Sequence, residues 1–115
     1  MSPAYYFDQH VRRAIALGLQ RLGIDVPTAV KADAADWPVE WILEGATALE
    51  RIDFSCDADF LERAADRLAR GVPFAGVVYA HQLQITIGQA VRDLELIVRL
   101  LTADEIRNQI IYLPM

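Results

Sequence analysis

The chain has 115 residues, of which 54% are hydrophobic, and a formal charge of −5 at neutral pH. That is enough for one hydrophobic core and too apolar for a disordered segment, so a single domain over residues 1–115 is expected. No apolar run approaches the roughly 20 residues of a membrane span, one cysteine (Cys56) excludes an internal disulfide framework or a thiolate zinc cluster, and the acidic balance supplies no long-range pull on nucleic acid.

The opening stretch MSPAYYFDQH has no basic region followed by an apolar one, so no export signal is expected and the cytoplasm is the expected location. Within it, AYYF (4–7) reads as a short aromatic strand. From His10 to Leu22 the period becomes helical. Val11, Ala14, Ile15, Leu19 and Leu22 share one face, Arg12, Arg13, Gln20 and Arg21 lie away from it, and Gly23 is the stop. IDVPTAV (24–30) is a weaker second strand that Pro27 shortens or places near an edge. After a loop over 33–37, Asp36 and Pro38 open a helix running to about Leu49, with Ile42, Leu43, Ala46 and Leu49 inward.

Residues 51–55 (RIDFS) form a third strand. A helix over 60–70 turns Phe60, Leu61, Ala64, Ala65 and Leu68 inward and ends at Gly71. PFAGVVYA (73–80) is a fourth strand, short and β-branched. Thr86 with Gln89 makes a capping box ahead of the stripe Ile87, Ala90, Val91, Leu94, Val98 and Leu101; Thr102 with Glu105 makes another. QIIYLP (109–114) closes the chain as a fifth strand. This alternation predicts an α/β sandwich around a mainly parallel sheet of about five strands. Right-handed crossovers then bring every strand's C-terminal end to one edge, where ligands of such folds bind near a switch in strand order.

Asp8 directly follows the first strand, Asp57 the third, with Asp59 two residues on, and His81 directly follows the fourth. Glu40, in the first turn of the helix after the second strand, leans over the same edge. Clustered carboxylates raise one another's pKa unless a cation sits between them, and an oxygen-only set suits a hard divalent ion, Mg²⁺ or Mn²⁺. Each acid also has a purely local explanation. Asp59 with Glu62 fits a capping box, Asp57 fits an Asx turn, and Asp8 fits a cap on the first helix.

Other residues carry less. His10 suits a helix start or a supporting position beside Asp8, and His81 is better placed but has no companion histidine for zinc. Arg63, Arg67 and Arg70 share a helix face of the kind that is usually solvated, yet that suits a phosphate backbone. Trp37 and Trp41 fit either core packing or base stacking. Cys56 reads as a buried small hydrophobe. Leu96 and Leu100 lie off the stripe of their helix and suggest a partner surface. There is no Ser/His/Asp set and no glycine-rich phosphate loop, and Lys31 is the chain's only lysine.

The ordered segments YFDQHVRRAIALGLQRLGIDV, FSCDADFLERA, PFAGVVYAHQLQITIGQAVRDLELI and IYLP together resemble the small PIN-like proteins of bacteria, over nearly the whole chain. The resemblance implies a three-layer α/β/α fold. It also implies an Mg²⁺- or Mn²⁺-dependent ribonuclease, in the manner of the toxin half of toxin–antitoxin pairs. On it, Asp8 and Asp57 match the first and third acids of the PIN site, and Asp59 is a neighbour. The second acid's position falls on Val39, with Glu40 one residue and about 100° of helix further on. Asp53 stands where relatives are apolar and so needs a partner or exposure.

Two functions follow. The first is hydrolysis of RNA phosphodiesters with Asp8, Asp57, Asp59 and Glu40 as metal-binding and catalytic acids, and with Arg63, Arg67, His81 and His10 as substrate contacts. The second is a degenerate module acting through a protein partner, an antitoxin-like chain or a second copy in a homodimer.

Overall fold

The structure is a computed structural model that describes residues 5–7, 11–24, 26, 46–47, 51–81 and 84–114. Strand β1 is Tyr5–Phe7 and helix α1 is Arg13–Arg21. Strand β2 is Ile52–Ser55, followed by helix α2, Ala58–Arg70. Strand β3 is Val77–Ala80 and helix α3 is Ile87–Leu100. A one-turn helix α4, Ala103–Ile106, leads into strand β4, Ile110–Leu113. Ala46 and Thr47 also have helical backbone. No helix among the described residues is long and apolar enough to cross a membrane.

The four strands form one parallel sheet in the order β1-β2-β3-β4. The sequence predicts five. The remaining one, 24–30, lies outside the described residues except for Ile24 and Val26, which are not in a strand. Among the described strands the order never reverses, so the expected switch point is not among them.

Register fixes which side chains share a face. Tyr6 pairs with Asp53, and Asp53 with Val77, which pairs with Ile110; Tyr5 pairs with Ile52, and Phe7 with Phe54. Successive strand residues point to opposite faces, and two clusters follow. Tyr5, Phe7, Ile52, Phe54, Val78 and Ala80 pack with Ile15, Ala16 and Leu19 of α1 and Ala90, Leu94 and Ile97 of α3. Tyr6 and Val77 pack with Phe60 and Ala64 of α2, with Phe74 and with Ala46. Apolar residues on both faces fit β1, β3 and β4, whereas β2 alternates, with Asp53 and Ser55 on the α2 side.

Three contacts tie these pieces together. The Tyr5 hydroxyl donates to the Leu94 carbonyl at 2.8 Å in the interior. Gly18 lies so close to α3 that a Cβ there would meet Val91 Cγ2 at 2.8 Å. Asn108 holds φ 61°, donates its N–H to the Phe74 carbonyl at 2.9 Å and accepts the Phe74 N–H on Oδ1 at 2.8 Å. That reciprocal pair joins the approach to β3 to the approach to β4.

Both capping boxes are present, Thr86 with Gln89 and Thr102 with Glu105. Gly71 ends α2 in the left-handed region, φ 70°. The helix faces are more selective than periodicity suggests. In α1, Ala16 is buried while Ala14 and Leu22 are exposed. In α2 the buried stripe is Phe60, Ala64 and Arg67, whereas Leu68, expected inside, is 52% exposed. Phe60-Ala64-Arg67 and Leu61-Ala65-Leu68 are adjacent stripes about 100° apart on one broad apolar arc. The sheet covers only one of them.

The strand expected from residue 73 begins at Val77, because Gly76 has φ 124° and sits against the Ile106 carbonyl. A Cβ there would lie 2.8 Å from that oxygen. Gly76→Ala is therefore expected to lower stability by about 2–4 kcal/mol, from backbone strain plus the clash with main chain, read in urea unfolding.

Burial pushes the Tyr5 phenol well above its usual pKa. A phenol that resists ionisation when folded keeps its proton after the unfolded chain has lost it. The folded state then binds more protons, and stability falls as pH rises past about 10. Tyr5→Phe is expected to cost about 1 kcal/mol at neutral pH through the lost hydrogen bond and to flatten that alkaline decline, measured as denaturation midpoints from pH 8 to 11.

Candidate functional site

Because all the strands run the same way, their C-terminal ends form one edge. Phe7 is level with Phe54, Phe54 with Val78, and Ala80 with Leu113. The chain leaves β2 through Cys56 and Asp57. The Asp57 N–H donates to Ser55 Oγ at 2.9 Å, and Asp57 Oδ1 accepts the Asp59 N–H at 3.0 Å. Asp57 is thus the N-cap of α2, with extended backbone at φ −97°, ψ 123°.

The sequence pattern predicts the cap at Asp59, two residues later. The helix starts earlier because Asp57 reaches the amide of its second helical residue, which leaves Asp59 in the first turn beside the positive end of the helix dipole. Asp57 is half-buried and Asp59 exposed. The cap uses one of the two Asp57 carboxylate oxygens.

His81 follows β3 at the same edge and is exposed; its carbonyl accepts the Gln84 N–H at 2.8 Å. Asp8, His10, Glu40, Val39, Trp37 and Trp41 lie outside the described residues. For Asp8 the structure places its chain neighbour, Phe7, at the end of β1 level with β2.

Of the arginines on α2, Arg63 is exposed and Arg70 pairs with Asp66 at 2.6 Å. Arg67 corrects the expectation of a solvated face. Only 3% of it is exposed, on the sheet-side stripe with Phe60 and Ala64, so it is not a surface contact for phosphate.

Asp53 is 1% exposed, in the same row as Tyr6 and Val77 and therefore inside the sheet face. Burial first, and the Asp53 charge second, push the Tyr6 phenol upward. Cys56 is half-buried. It lines a small void of about 10 Å³ with Arg12, Ile15 and the start of α3, among side chains rather than with the acids.

A larger cavity of about 200 Å³ lies at the opposite edge, lined by Thr47, Ile52, Phe74, Ile106 and Arg107. Among the described residues no carboxylate lines it. The edge with Asp57 and Asp59 is the better candidate because it holds the carboxylates.

One pair escaped sequence reading. Tyr79 and Tyr112 are register partners on the Ser55 row, with ring centroids 6.3 Å apart at 81°. Tyr112 is 59% exposed. The signal was available: VVYA and IIYL both carry tyrosine in third place, and matched positions of parallel neighbours fall side by side.

Asp57 and Asp59 offer hard oxygen donors of the type that Mg²⁺ or Mn²⁺ takes. Among the described residues no group of three His, Cys, Asp or Glu side chains is placed to hold a metal. A complete set therefore needs acids from outside them, and Asp8 and Glu40 are the sequence's candidates.

The cap separates two roles of Asp57. Asp57→Ala is expected to lose about 1 kcal/mol of stability, whereas Asp57→Asn keeps the cap and stays within about 0.5 kcal/mol of the parent, both read by urea unfolding. Comparison with protein-family models, with curated proteins and with solved structures finds no match to this chain.

Proposed function

We propose that the protein is a metal-dependent phosphodiesterase of PIN-like type acting on RNA, with a three-layer α/β/α fold in which a fifth strand and a further helix complete the sheet. The observation that carries this reading is the shared edge. β1 and β2 run parallel with Phe7 level with Phe54, so the end of β1 lies at the same edge as the Asp57-x-Asp59 turn.

In this reading Asp57 and Asp59, with Asp8 and Glu40, hold Mg²⁺ or Mn²⁺. The ion would make a bound water nucleophilic at neutral pH and offset charge on the phosphate. The chain's own residues do the positioning. The cap bond to the Asp59 amide and the Ser55 hydroxyl on the Asp57 amide fix the carboxylate's direction. Arg63, exposed on the helix that starts at this edge, steadies a neighbouring phosphate, and His81 lines the approach. A chain of this type also fits the toxin role in a pair with a protein antitoxin.

A second reading is favoured by one feature of the surface. Leu96 and Leu100 of α3 are 40% and 72% exposed, and Leu22, whose carbonyl accepts from Arg99 at 3.4 Å, is exposed as well. That apolar strip fits a module that works through a protein partner.

A calorimetric Mn²⁺ titration of the parent and of Asp57→Asn separates the two. Saturable binding that weakens at least roughly tenfold in the variant is expected, together with loss of RNA cleavage. Equal, weak binding by both proteins would reject the metal site and leave the partner reading.

A further inference from the structure

We propose that the outward face of the α1 and α3 layer docks an acidic amphipathic helix of a partner protein. The proposal rests on the partner reading and names what that partner brings. α1 and α3 pack on the Tyr5 and Phe54 side of the sheet, which leaves their opposite faces to solvent. On α1, Arg13, Leu17 and Arg21 follow one another at intervals of four and form an exposed ridge. Arg92, Leu96 and Leu100 repeat that spacing on α3, with Arg99 next to Leu96, and all four side chains are well exposed.

The two ridges are held side by side. Gly18 packs against Val91, and the Arg99 guanidinium donates to the Leu22 carbonyl at 3.4 Å. Later residues of α1 thus meet later residues of α3, so the helices run in the same direction. With axes about 8–10 Å apart, the ridges border a shallow furrow whose floor is the small residues Ala14 and Gly18 together with Val91. A third helix seats in such a furrow with apolar residues at every third and fourth position.

Charge decides what that helix carries. Residues 11–24 and 84–101 hold five arginines and two acids, a net of +3 in a chain of −5. Asp93 faces inward, and Glu95 is engaged by Arg99 at 2.9 Å, so the outward face is basic. Two copies meeting through this face would set arginine against arginine, so it is not self-complementary. A lipid surface would also meet the acidic remainder of the chain. Leucines spaced between arginines at one helical turn call for a partner with the same period and the opposite sign.

The probe is a labelled amphipathic peptide of about five helical turns, with a leucine stripe flanked by glutamates; its counterpart carries lysine in place of glutamate. Binding is read by fluorescence anisotropy, with sedimentation velocity and phosphatidylserine vesicles alongside. The glutamate peptide is expected to bind, and to weaken as salt rises. Arg13→Glu combined with Arg21→Glu is expected to weaken it about tenfold or more, Leu96→Gln by a similar factor, and Arg21→Lys to stay within about twofold. Urea unfolding of these surface variants is expected to match the parent, which separates lost docking from lost folding. Equal binding of both peptides overturns the acidic chemistry and leaves the partner reading standing. Binding of neither overturns the inference, as does unchanged affinity in the variants. Capture by vesicles without peptide binding overturns it too, because lipid then covers the face. So does self-association that the double arginine variant abolishes, because a second copy then covers it. No metal enters the assay, so its outcome is read separately from the Mn²⁺ titration.

Discussion

Parallel pairing of β2 between β1 and β3 is the constraint on which the other features rest. It sends every strand toward the same edge, so the loop after each strand meets the loops after its neighbours. It also places apolar side chains on both faces of the sheet, and helices cover most of them. α1 and α3 pack with the Tyr5, Phe7 and Phe54 side, and α2 with the Tyr6 and Val77 side. Reversing β2 alone would carry Asp57 to the other edge, where the larger cavity lies.

Burial on both sides has consequences for the polar residues caught inside. Asp53 stands in the row under α2, and Arg67 faces inward from α2's sheet-side stripe. An ionised group in such a place is expensive unless its surroundings satisfy it, and removing a partner hurts more than never having the pair. Arg67 and Arg70 also lie in the last turn of α2, where positive charge complements the helix dipole.

At the edge itself, structure and chemistry share residues. Asp57 follows a strand, caps a helix and offers a half-buried carboxylate. Capping does not compete with metal binding when only one oxygen is engaged, and it fixes where the other oxygen is carried. Tyr79 and Tyr112 come to the same edge for a different reason, register between β3 and β4. The acids and the aromatic pair are thus products of one sheet, although they are more than 50 residues apart at their extremes in the chain.

Legible in the sequence were the four described strands and the three longer helices, both threonine capping boxes, the glycine that ends α2, and Asp57 after β2. These depend on neighbours within four residues, which is the range over which propensity and capping act. It misjudged what depends on distant packing. The start of β3 was displaced by Gly76 against the Ile106 carbonyl. The choice of Arg67 over Leu68 was made by which stripe of α2 the sheet covers. The tyrosine pair needed the register of two strands separated by a helix. Periodicity says that a helix has an apolar arc; which part of that arc meets the sheet follows from packing, because the angle of approach is set by side chains far away in the chain.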